Sequence, residues 1–296
     1  MISIVVALYN RLDRTQPFIA SLERHAPPEP WEIVWVDDGS TDGTREWLRT
    51  LPAPRHRVLL NERNLGFAAS NNRGARAAQG TVLALLNNDL VLTPGWFAPL
   101  AERLAATPRI GVVGNVHLQP ATGRIDHAGI VFDLAGLPDH FGKHRPPRLS
   151  GDGRFVPAVS AACWLLQREA FLAHGGFDEA YRNGGEDVDF CLALGRRGLR
   201  HWVDYRSRVW HYVSSSPGRK DRDRENLRLF LTRWGHDTVA WGREDWPRNY
   251  LRRHLHQPWR FNGPKLADAL LRLARLRHGD SAWAAARRAA ILGEAR

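Results

Sequence analysis

Short apolar segments alternate with helical segments along the first 90 residues. Ile2 to Leu8 is a continuous run of aliphatic residues, which predicts a buried strand, and a helical pattern containing Phe18 and Leu22 follows it. The same alternation predicts strands at 31–36, 58–60 and 81–86 and helices at 44–51 and 67–78. Because strands that alternate with helices indicate βαβ units, the sequence predicts an α/β fold with a mostly parallel central sheet flanked by helices.

The pattern loosens between Gly111 and about Ser150, where glycine, proline and histidine are scattered through segments such as Asp126-His127-Ala128-Gly129. We expect a long loop or lid there. A regular pattern returns at 155–166 and predicts helices at 169–174 and 187–197, each followed by glycine, and short strands at 201–203 and 209–211.

The composition changes after Ser214-Ser215-Ser216-Pro217-Gly218, where arginine-rich helical segments begin. We therefore predict an α/β domain at 1–216 and a helical C-terminal appendage at 217–296. Two amphipathic helices are expected in the appendage, one with Leu266, Leu270 and Leu273 on its apolar face and one with Trp283 and Ile291.

Composition excludes some classes of protein. The 43% of hydrophobic residues and 25% of charged residues are ordinary for a globular chain and unlike a disordered one. Cys163 and Cys191 are the two cysteines, so no disulfide framework is expected, and no apolar run approaches the roughly 20 residues that span a bilayer. No export signal is visible at the start, and we expect a cytoplasmic protein, with membrane contact at the inner face as an option.

The net charge of +11 indicates an anionic partner, which is a nucleic acid, an anionic lipid or a phosphorylated substrate. Charge alone does not choose among them.

Polar clusters follow the first, second and fourth predicted strands. These clusters are Asn10-Arg11, Asp37-Asp38-Gly39-Ser40 and Asn87-Asn88-Asp89. Since ligands of parallel sheets bind beyond the carboxyl ends of the strands, the three clusters are expected to meet in one site.

Two aspartates in these clusters have alternative interpretations. Asp89, at a strand end, either closes a polar turn or holds a hard divalent cation through its carboxylate oxygens. Asp38 either helps to cap the next helix or accepts hydrogen bonds from a nucleobase or ribose. Capping alone is the less favoured interpretation, because Asp37 and Asp38 are adjacent acids at the end of a buried strand and both need partners.

Three residues farther along the chain complete the candidate site. Glu186 and Asp187 begin a predicted helix, where the helix dipole favours acids, but the preceding glycines also allow close approach to a substrate whose hydroxyl needs a general base. His211 is either an ordinary buried histidine or a nitrogen ligand that completes a metal site with Asp89, which would favour manganese over magnesium.

The ordered set of motifs over about residues 1 to 216 resembles family 2 glycosyltransferases. The resemblance is carried by Val5-Val6-Ala7-Leu8-Tyr9-Asn10, Val36-Asp37-Asp38-Gly39-Ser40-Thr41-Asp42, Asn64-Leu65-Gly66-Phe67-Ala68 with Asn71-Asn72 and Gly74, Leu86-Asn87-Asn88-Asp89, and Gly175-Gly176-Phe177-Asp178-Glu179 leading to Glu186-Asp187-Val188-Asp189.

This resemblance implies the GT-A fold, with residues 1–115 binding a nucleotide-diphosphate sugar and a metal, and 116–216 binding the acceptor. It implies an inverting transfer with Mn²⁺ or Mg²⁺ as cofactor, a glycan or lipid-linked acceptor, and no nucleic-acid partner. In the nucleotide site, the resemblance implies that Ala7, Tyr9 and Asp38 contact the nucleobase, that Gly66 lines its pocket and that Asn88 contacts the ribose. It implies that Asp89 and His211 bind the metal. It also implies that Asp187 takes the acceptor proton and that Glu186 binds acceptor or sugar hydroxyls.

One position departs from the family pattern. The acidic metal triplet of the family usually begins with aspartate, whereas this chain has Asn87, and a neutral side chain attracts a cation less strongly. The variant resembles a subgroup that includes bacterial rhamnosyltransferases and related cell-surface polysaccharide enzymes. Two other functions are alternatives to glycosyl transfer. The protein could be a basic nucleic-acid-binding protein or a catalytically inactive nucleotide-sugar sensor.

Overall fold

A ten-stranded sheet lies at the centre of the protein, whose computed structural model describes residues 1–212, 222–255 and 258–294. The strands are β1 (Ile2–Leu8), β2 (Trp31–Asp37), β3 (His56–Leu60), β4 (Val82–Leu86), β5 (Leu90–Leu92), β6 (Ile110–Leu118), β7 (Ile125–His127), β8 (Ile130–Phe132), β9 (Pro138–His140), β10 (Gly153–Val156), β11 (Cys163–Gln167) and β12 (Arg200–His211). The helices are α1 (Leu12–Arg24), α2 (Thr44–Leu48), α3 (Phe67–Ala77), α4 (Ala98–Ala106), α5 (Arg168–His174), α6 (Glu186–Arg196), α7 (Asp223–His254), α8 (Gly263–Leu273) and α9 (Ala282–Leu292), with a short 3₁₀ helix at Pro258–Arg260.

The order of strands in the sheet is β10-β12-β6-β11-β4-β1-β2-β3, with β5 beside β12 and β7 beside β6. Strands β4, β1, β2 and β3 run parallel, and so do β6 and β12, whereas β11 is antiparallel to both of its neighbours. The predicted α/β fold with a mostly parallel sheet is therefore confirmed.

Burial on both faces explains the continuous apolar run of β1. Ile4 and Val6 pack with the α1 residue Phe18 on one side of the sheet, while Val5 belongs to the apolar cluster on the other side. On that second side Gly74 brings α3 against the sheet, because a β-carbon at this position would collide with the side chain of Val5. The parallel strands thus present their carboxyl ends together at one edge, as the sequence predicted.

The loop or lid expected between residues 111 and 150 is not present, and this prediction was wrong. Strand β6 is central in the sheet, β7 pairs with it, and β8 and β9 form a separate antiparallel pair. Val112, Ile125 and Val131 are buried. Strands of three residues are too short to show a period of two, and the glycines between them and the histidines that end β7 and β9 suggested a loop.

The two short strands predicted at 201–203 and 209–211 are one strand, β12. Its pairing with β6 shifts in register between Asp204 and Arg208, so the periodic pattern is interrupted at that point although the strand continues. Arg206 in the irregular segment forms an ion pair of 2.9 Å with the buried Asp204.

The C-terminal helices pack on the α/β part of the chain. Leu134 and Leu137, which flank the β8–β9 turn, share a hydrophobic cluster with Trp246 and Tyr250 of α7 and Ala284 of α9. The predicted boundary between 216 and 217 lies outside the described residues, and the division into two domains stays a prediction.

A buried aspartate connects the last two helices, and we expect it to matter for stability. Asp268 of α8 is fully buried and accepts hydrogen bonds from Arg272 Nε at 3.1 Å and Trp283 Nε1 at 3.1 Å, and also from the Ser281 hydroxyl. Removing one partner of a buried ion pair typically costs about 3–5 kcal/mol, because the other charge is left uncompensated. Asp268→Ala should therefore lower the free energy of unfolding by about that amount in urea titrations followed by tryptophan fluorescence. Glu244→Ala removes an exposed acid from α7 and is the control, and equal midpoints for the two variants would contradict the expectation.

Candidate active site

A cleft of about 370 Å³ opens at the carboxyl ends of β1, β2 and β4. It is lined by strand ends from the first half of the chain and by two segments from the second half. The lining residues are Ala7, Leu8, Tyr9, Asp38, Asn64, Phe67, Ser70, Asn87, Asn88, Asp89, Ser160, Ala161, Ala162, Asn183, Glu186 and Asp187. Seven of the predicted site residues line this cleft, and the other two, Gly66 and His211, are not among its lining residues. Their individual roles stay predictions.

Asp38 organises one wall of the cleft. Its Oδ1 accepts hydrogen bonds from Asn61 Nδ2 at 2.7 Å and from the backbone N–H of Leu65 at 2.8 Å, and its Oδ2 accepts one from the backbone N–H of Gly66 at 2.9 Å. Gly66 has a positive φ of 94°, which favours glycine, and α3 begins at the next residue. Gly66 therefore turns the chain toward the cleft, and its neighbour Phe67 supplies the lining.

The adjacent acids Asp37 and Asp38 have separate partners. Asp37 is fully buried and pairs with Arg45 at 2.7 Å on the side away from the cleft. The loop after β1 is joined to the loop after β2, because Asn10 Oδ1 accepts a hydrogen bond of 2.7 Å from the backbone N–H of Thr41. Both loops are thus held at the sheet edge, and only Asp38 of the two acids lines the cleft.

The turn after β4 is fixed by two contacts. The backbone N–H of Asn87 donates to the carbonyl oxygen of Ala162 at 2.9 Å, and Asn88 Nδ2 donates to Thr15 Oγ1 at 2.9 Å. Asn87, the departure from the family pattern, therefore still lies in the cleft. The contact with Ala162 brings the segment before β11 to the same place.

Asp89 and His211 lie together at the end of β4. His211 pairs in register with Leu90, and its Nε2 is 3.3 Å from Asp89 Oδ1. Its Nδ1 faces Asp126, whose Oδ2 is 3.7 Å away. Burial alone would lower the pKa of His211, but the carboxylates of Asp89 and Asp126 outweigh that effect and raise it to about 9. The two carboxylates thus favour positive charge at this place.

An oxygen and a nitrogen donor side by side suit a divalent transition metal such as Mn²⁺. Within residues 1–212, 222–255 and 258–294 there is no group of three or more His, Cys, Asp or Glu side chains that could hold a metal ion. The arrangement fits a cation that takes two ligands from the chain and others from a bound phosphate or water.

Glu186 and Asp187 occupy the first turn of α6, after Gly185 at a φ of 100°. Asp187 Oδ1 accepts from the backbone N–H of Val188 at 2.8 Å, and its Oδ2 accepts from that of Ala161 at 3.0 Å. Glu186 Oε2 accepts from the backbone N–H of Gly184 at 2.8 Å. These acids satisfy backbone donors and line the cleft at once, so the two interpretations of this motif are compatible.

Asp189, the third acid of the motif, points away from the cleft. Its Oδ1 accepts hydrogen bonds from Trp234 Nε1 at 2.8 Å and Tyr181 Oη at 3.0 Å, and it lies 3.2 Å from Arg233. It joins α6 to α7 and is structural.

Several cleft residues were not predicted from the sequence. Ser160, Ala161 and Ala162 are small and carry no motif, and their position depends on contacts with Asp187 and Asn87. Asn183 has a φ of 57° and its Oδ1 accepts from the backbone N–H of Phe67 at 3.1 Å, which joins the two walls. The only available signal for Asn183 was its place just before the two glycines.

Comparison with known sequences identifies related proteins. A family model described as "Glycosyl transferase family 2" matches residues 3–174. The O-antigen biosynthesis protein RfbC of Myxococcus xanthus is 33% identical over 224 residues, covering 73% of this chain and 17% of that protein. The N-acetylglucosaminyl-diphospho-decaprenol L-rhamnosyltransferase of Mycobacterium tuberculosis strain H37Rv is 28% identical over 242 residues, covering 74% of this chain and 78% of that protein. The chain thus spans a small part of the first relative and most of the second.

Solved structures share the fold. The crystal structure of GalNAc-T7 with UDP, GalNAc and Mn²⁺ has a TM-score of 0.64 at 20% identity and covers 84% of this chain and 51% of that one. The mannosyltransferase PcManGT from Pyrobaculum calidifontis, in complex with GDP-Man and Mn²⁺, has a TM-score of 0.56 at 20% identity and covers 98% of this chain and 78% of that one. The predicted GT-A fold is therefore confirmed.

Proposed function

The chain belongs to glycosyltransferase family 2, and on this premise we propose that it transfers a sugar from a nucleotide-diphosphate donor to an acceptor hydroxyl with inversion. The observation that carries this proposal is that Asp38, Asp89 and Asp187, which come from distant parts of the chain, line one cleft. A nucleotide site, a cation site and a base are the three components that such a reaction needs.

We assign the nucleotide to the wall formed by Ala7, Tyr9 and Asp38. A carboxylate has about four acceptor positions. Asp38 accepts three hydrogen bonds, from Asn61, Leu65 and Gly66. We assign its fourth acceptor position to an N–H of the nucleobase. The bonds to the loop hold Asp38 in place before the nucleotide arrives, which reduces the ordering cost of binding. We assign the contact with the ribose to Asn88, which donates a hydrogen bond to Thr15.

Asp89 and His211 are the residues that would hold Mn²⁺ or Mg²⁺, and the nitrogen donor favours Mn²⁺. A bound divalent cation would neutralise negative charge on the leaving diphosphate, a contribution of several kcal/mol to transition-state stabilisation. The neighbouring structures that contain Mn²⁺ with a nucleotide support this assignment by analogy of fold.

Asp187 is our candidate for the general base. Its carboxylate takes the proton of the acceptor hydroxyl while the hydroxyl oxygen attacks the anomeric carbon from the face opposite the diphosphate. The bond from that carbon to the diphosphate oxygen breaks in the same displacement, so the configuration inverts. The hydrogen bonds from the backbone N–H groups of Ala161 and Val188 orient Asp187. We assign the binding of acceptor or sugar hydroxyls to Glu186 beside it.

The proposal is tested by a thermal-shift screen of sugar nucleotides with and without Mn²⁺, followed by transfer assays with the stabilising donors. We expect at least one sugar nucleotide to raise the melting temperature more with Mn²⁺ than without it, and the product to have the opposite anomeric configuration to the donor by NMR. A product with retained configuration would contradict the single displacement. Binding of DNA or RNA that falls steeply with salt, without a response to any sugar nucleotide, would favour the nucleic-acid alternative instead.

The relatives suggest the pathway. RfbC and the mycobacterial rhamnosyltransferase are named for O-antigen synthesis and for transfer to a decaprenol-linked acceptor. By extension we propose that this chain acts in bacterial cell-surface polysaccharide synthesis on a glycan or lipid-linked acceptor. Family membership does not favour the nucleic-acid-binding alternative. The inactive-sensor alternative is also not favoured, because Asp89 and Asp187 line the cleft despite Asn87.

We propose that the C-terminal appendage makes peripheral contact with a membrane. Five of the eight exposed large hydrophobic side chains in the described part of the chain lie between 255 and 276, namely Leu255, Trp259, Leu270, Leu273 and Leu276. Exposed Arg260 and Arg275 belong to the same stretch, and exposed Arg252 lies just before it. Apolar side chains mixed with basic ones favour the surface of an anionic bilayer. No helix within residues 1–212, 222–255 and 258–294 is long and apolar enough to cross a membrane.

We expect the full chain to float with phosphatidylglycerol vesicles at low salt and not with phosphatidylcholine vesicles. Trp259 and Leu276 are 76% and 74% exposed, so replacing both with serine should spare the fold. Because fully burying such a side chain contributes about 1.5–3 kcal/mol, the double variant should bind at least about tenfold more weakly. Trp241→Ser, which removes an exposed tryptophan elsewhere, is the control. Absence of flotation by the wild-type protein would exclude the membrane contact.

A further inference from the structure

A group of buried histidines lies behind Asp89 and His211, in the region that the sequence suggested was a loop. His117 of β6 packs edge to face on His211 with ring centroids 5.3 Å apart, and its other side meets His127 of β7 at 4.9 Å. His127 Nδ1 is 2.8 Å from His140 Nδ1 of β9. His127 Nε2 accepts from the backbone N–H of Ser160, a cleft residue, at 3.3 Å. The short strands β7 and β9 therefore bring polar side chains to the rear of the site.

Asp126 is the acid in this group. It is 4% exposed, and its Oδ2 is 3.7 Å from His211 Nδ1. Its Oδ1 is 3.4 Å from Lys143 Nζ and accepts from Gln119 Nε2 at 3.3 Å. The imidazole of His211 thus lies between two carboxylates, with Asp126 on the Nδ1 side and Asp89 on the Nε2 side.

This arrangement determines which nitrogen of His211 is available as a ligand. Carboxylates lie beside both ring nitrogens, at 3.3 Å from Nε2 and 3.7 Å from Nδ1. When a cation occupies the Asp89 side, Nε2 cannot carry hydrogen, and the carboxylate of Asp126 then favours the neutral form with hydrogen on Nδ1 and the lone pair on Nε2. The ring of His117, which is fully buried, limits rotation of His211 from the side. Histidines that bind metals commonly donate their second N–H to a carboxylate in this way, which fixes the ring and makes it a better ligand.

We propose that Asp126 is a positioning residue that accepts the Nδ1–H of His211 and thereby keeps Nε2 on the Asp89 side as a ligand for a divalent cation. This inference rests on the metal assignment in the proposed function. The proposal gives a role to Asp126, for which the sequence pattern suggested no function. It also explains a buried carboxylate, which is costly to maintain without partners of opposite charge or hydrogen-bond donors.

The test uses the full chain and Mn²⁺ alone as the probe, with free Mn²⁺ measured by its EPR signal. Removing such an outer partner typically weakens metal binding about 10–100-fold, and we expect a loss in that range for Asp126→Leu. Asp126→Asn should lose less, because the amide oxygen still accepts the Nδ1–H while the charge is gone. Pulsed EPR should show ¹⁴N modulation from a bound imidazole in the wild-type protein, and this signal should be weaker in Asp126→Leu.

Controls separate this inference from the metal assignment itself. Asp133→Asn changes another buried aspartate, which accepts the backbone N–H groups of Ala135 and Leu137, and it should bind Mn²⁺ like the wild type. If Asp89→Ala and the wild type bind Mn²⁺ equally, the metal assignment fails. If Asp89→Ala loses Mn²⁺ while both Asp126 variants keep wild-type affinity and ¹⁴N modulation, only the role of Asp126 is overturned. Asp126→Asn preserves side-chain shape and decides the question if Asp126→Leu does not fold.

Discussion

Replacing Asp187 by asparagine is expected to slow sugar transfer about 10²–10⁴-fold while donor binding stays close to wild type. Losses of this size are typical when a general base is removed, and the amide of asparagine cannot accept the acceptor proton. Asp187 accepts backbone hydrogen bonds from Ala161 and Val188, and an amide retains only one acceptor atom for these two donors. We therefore also expect a loss of roughly 1–3 kcal/mol in stability, and turnover must be measured on the folded fraction.

Asp189 provides the matched control for this experiment. It belongs to the same helix turn, but it bonds to Trp234 and Tyr181 instead of lining the cleft. Asp189→Asn should lower the melting temperature and leave the turnover number of the folded protein within a few-fold of wild type. If Asp187→Asn turns over at the wild-type rate, the base lies elsewhere, and Glu186, which also lines the cleft, becomes the next candidate.

Asp89→Ala should abolish the effect of Mn²⁺ on donor binding. Loss of an outer partner of a metal ligand typically costs 10–100-fold in affinity, so loss of the ligand itself should exceed about 100-fold. Isothermal titration with the donor found in the screen measures this, and chelation of the wild-type protein should give the same low affinity. Asp152→Ala, which removes an exposed acid remote from the cleft, is the control for net charge. Tight binding by Asp89→Ala that does not respond to a chelator would remove the metal from the proposal.

The fold of residues 1–115 was predictable because its signals are local. β1 begins and ends at the predicted residues Ile2 and Leu8, since a strand covered on both faces is a continuous apolar run between polar turns. The polar clusters after β1, β2 and β4 then follow from parallel topology alone. The Asp38 and Asp89 positions could be placed in one cleft for that reason.

Residues 116–216 were less predictable because their structure depends on contacts between distant residues. The segment from Ser160 to Ala162 is held in the cleft by the bonds of Ala161 to Asp187 and of Ala162 to Asn87, neither of which has a local sequence signal. His127 and His140 are 13 positions apart and meet only because β8 and β9 fold back on each other. Histidines scattered along the sequence were therefore interpreted as features of a loop.

The shared packing of Leu134 and Leu137 with α7 and α9 has a consequence for how this protein can be divided. The two leucines are 2% and 3% exposed, and Arg287 of α9 neutralises Asp133 beside them at 2.9 Å. A chain cut at the compositional boundary would expose both leucines to water, at roughly 1.5–3 kcal/mol for each fully uncovered side chain. It would also leave Asp133 without its arginine. We therefore expect residues 1–216 alone to be less stable than the full chain, because the last three helices cover part of their apolar surface.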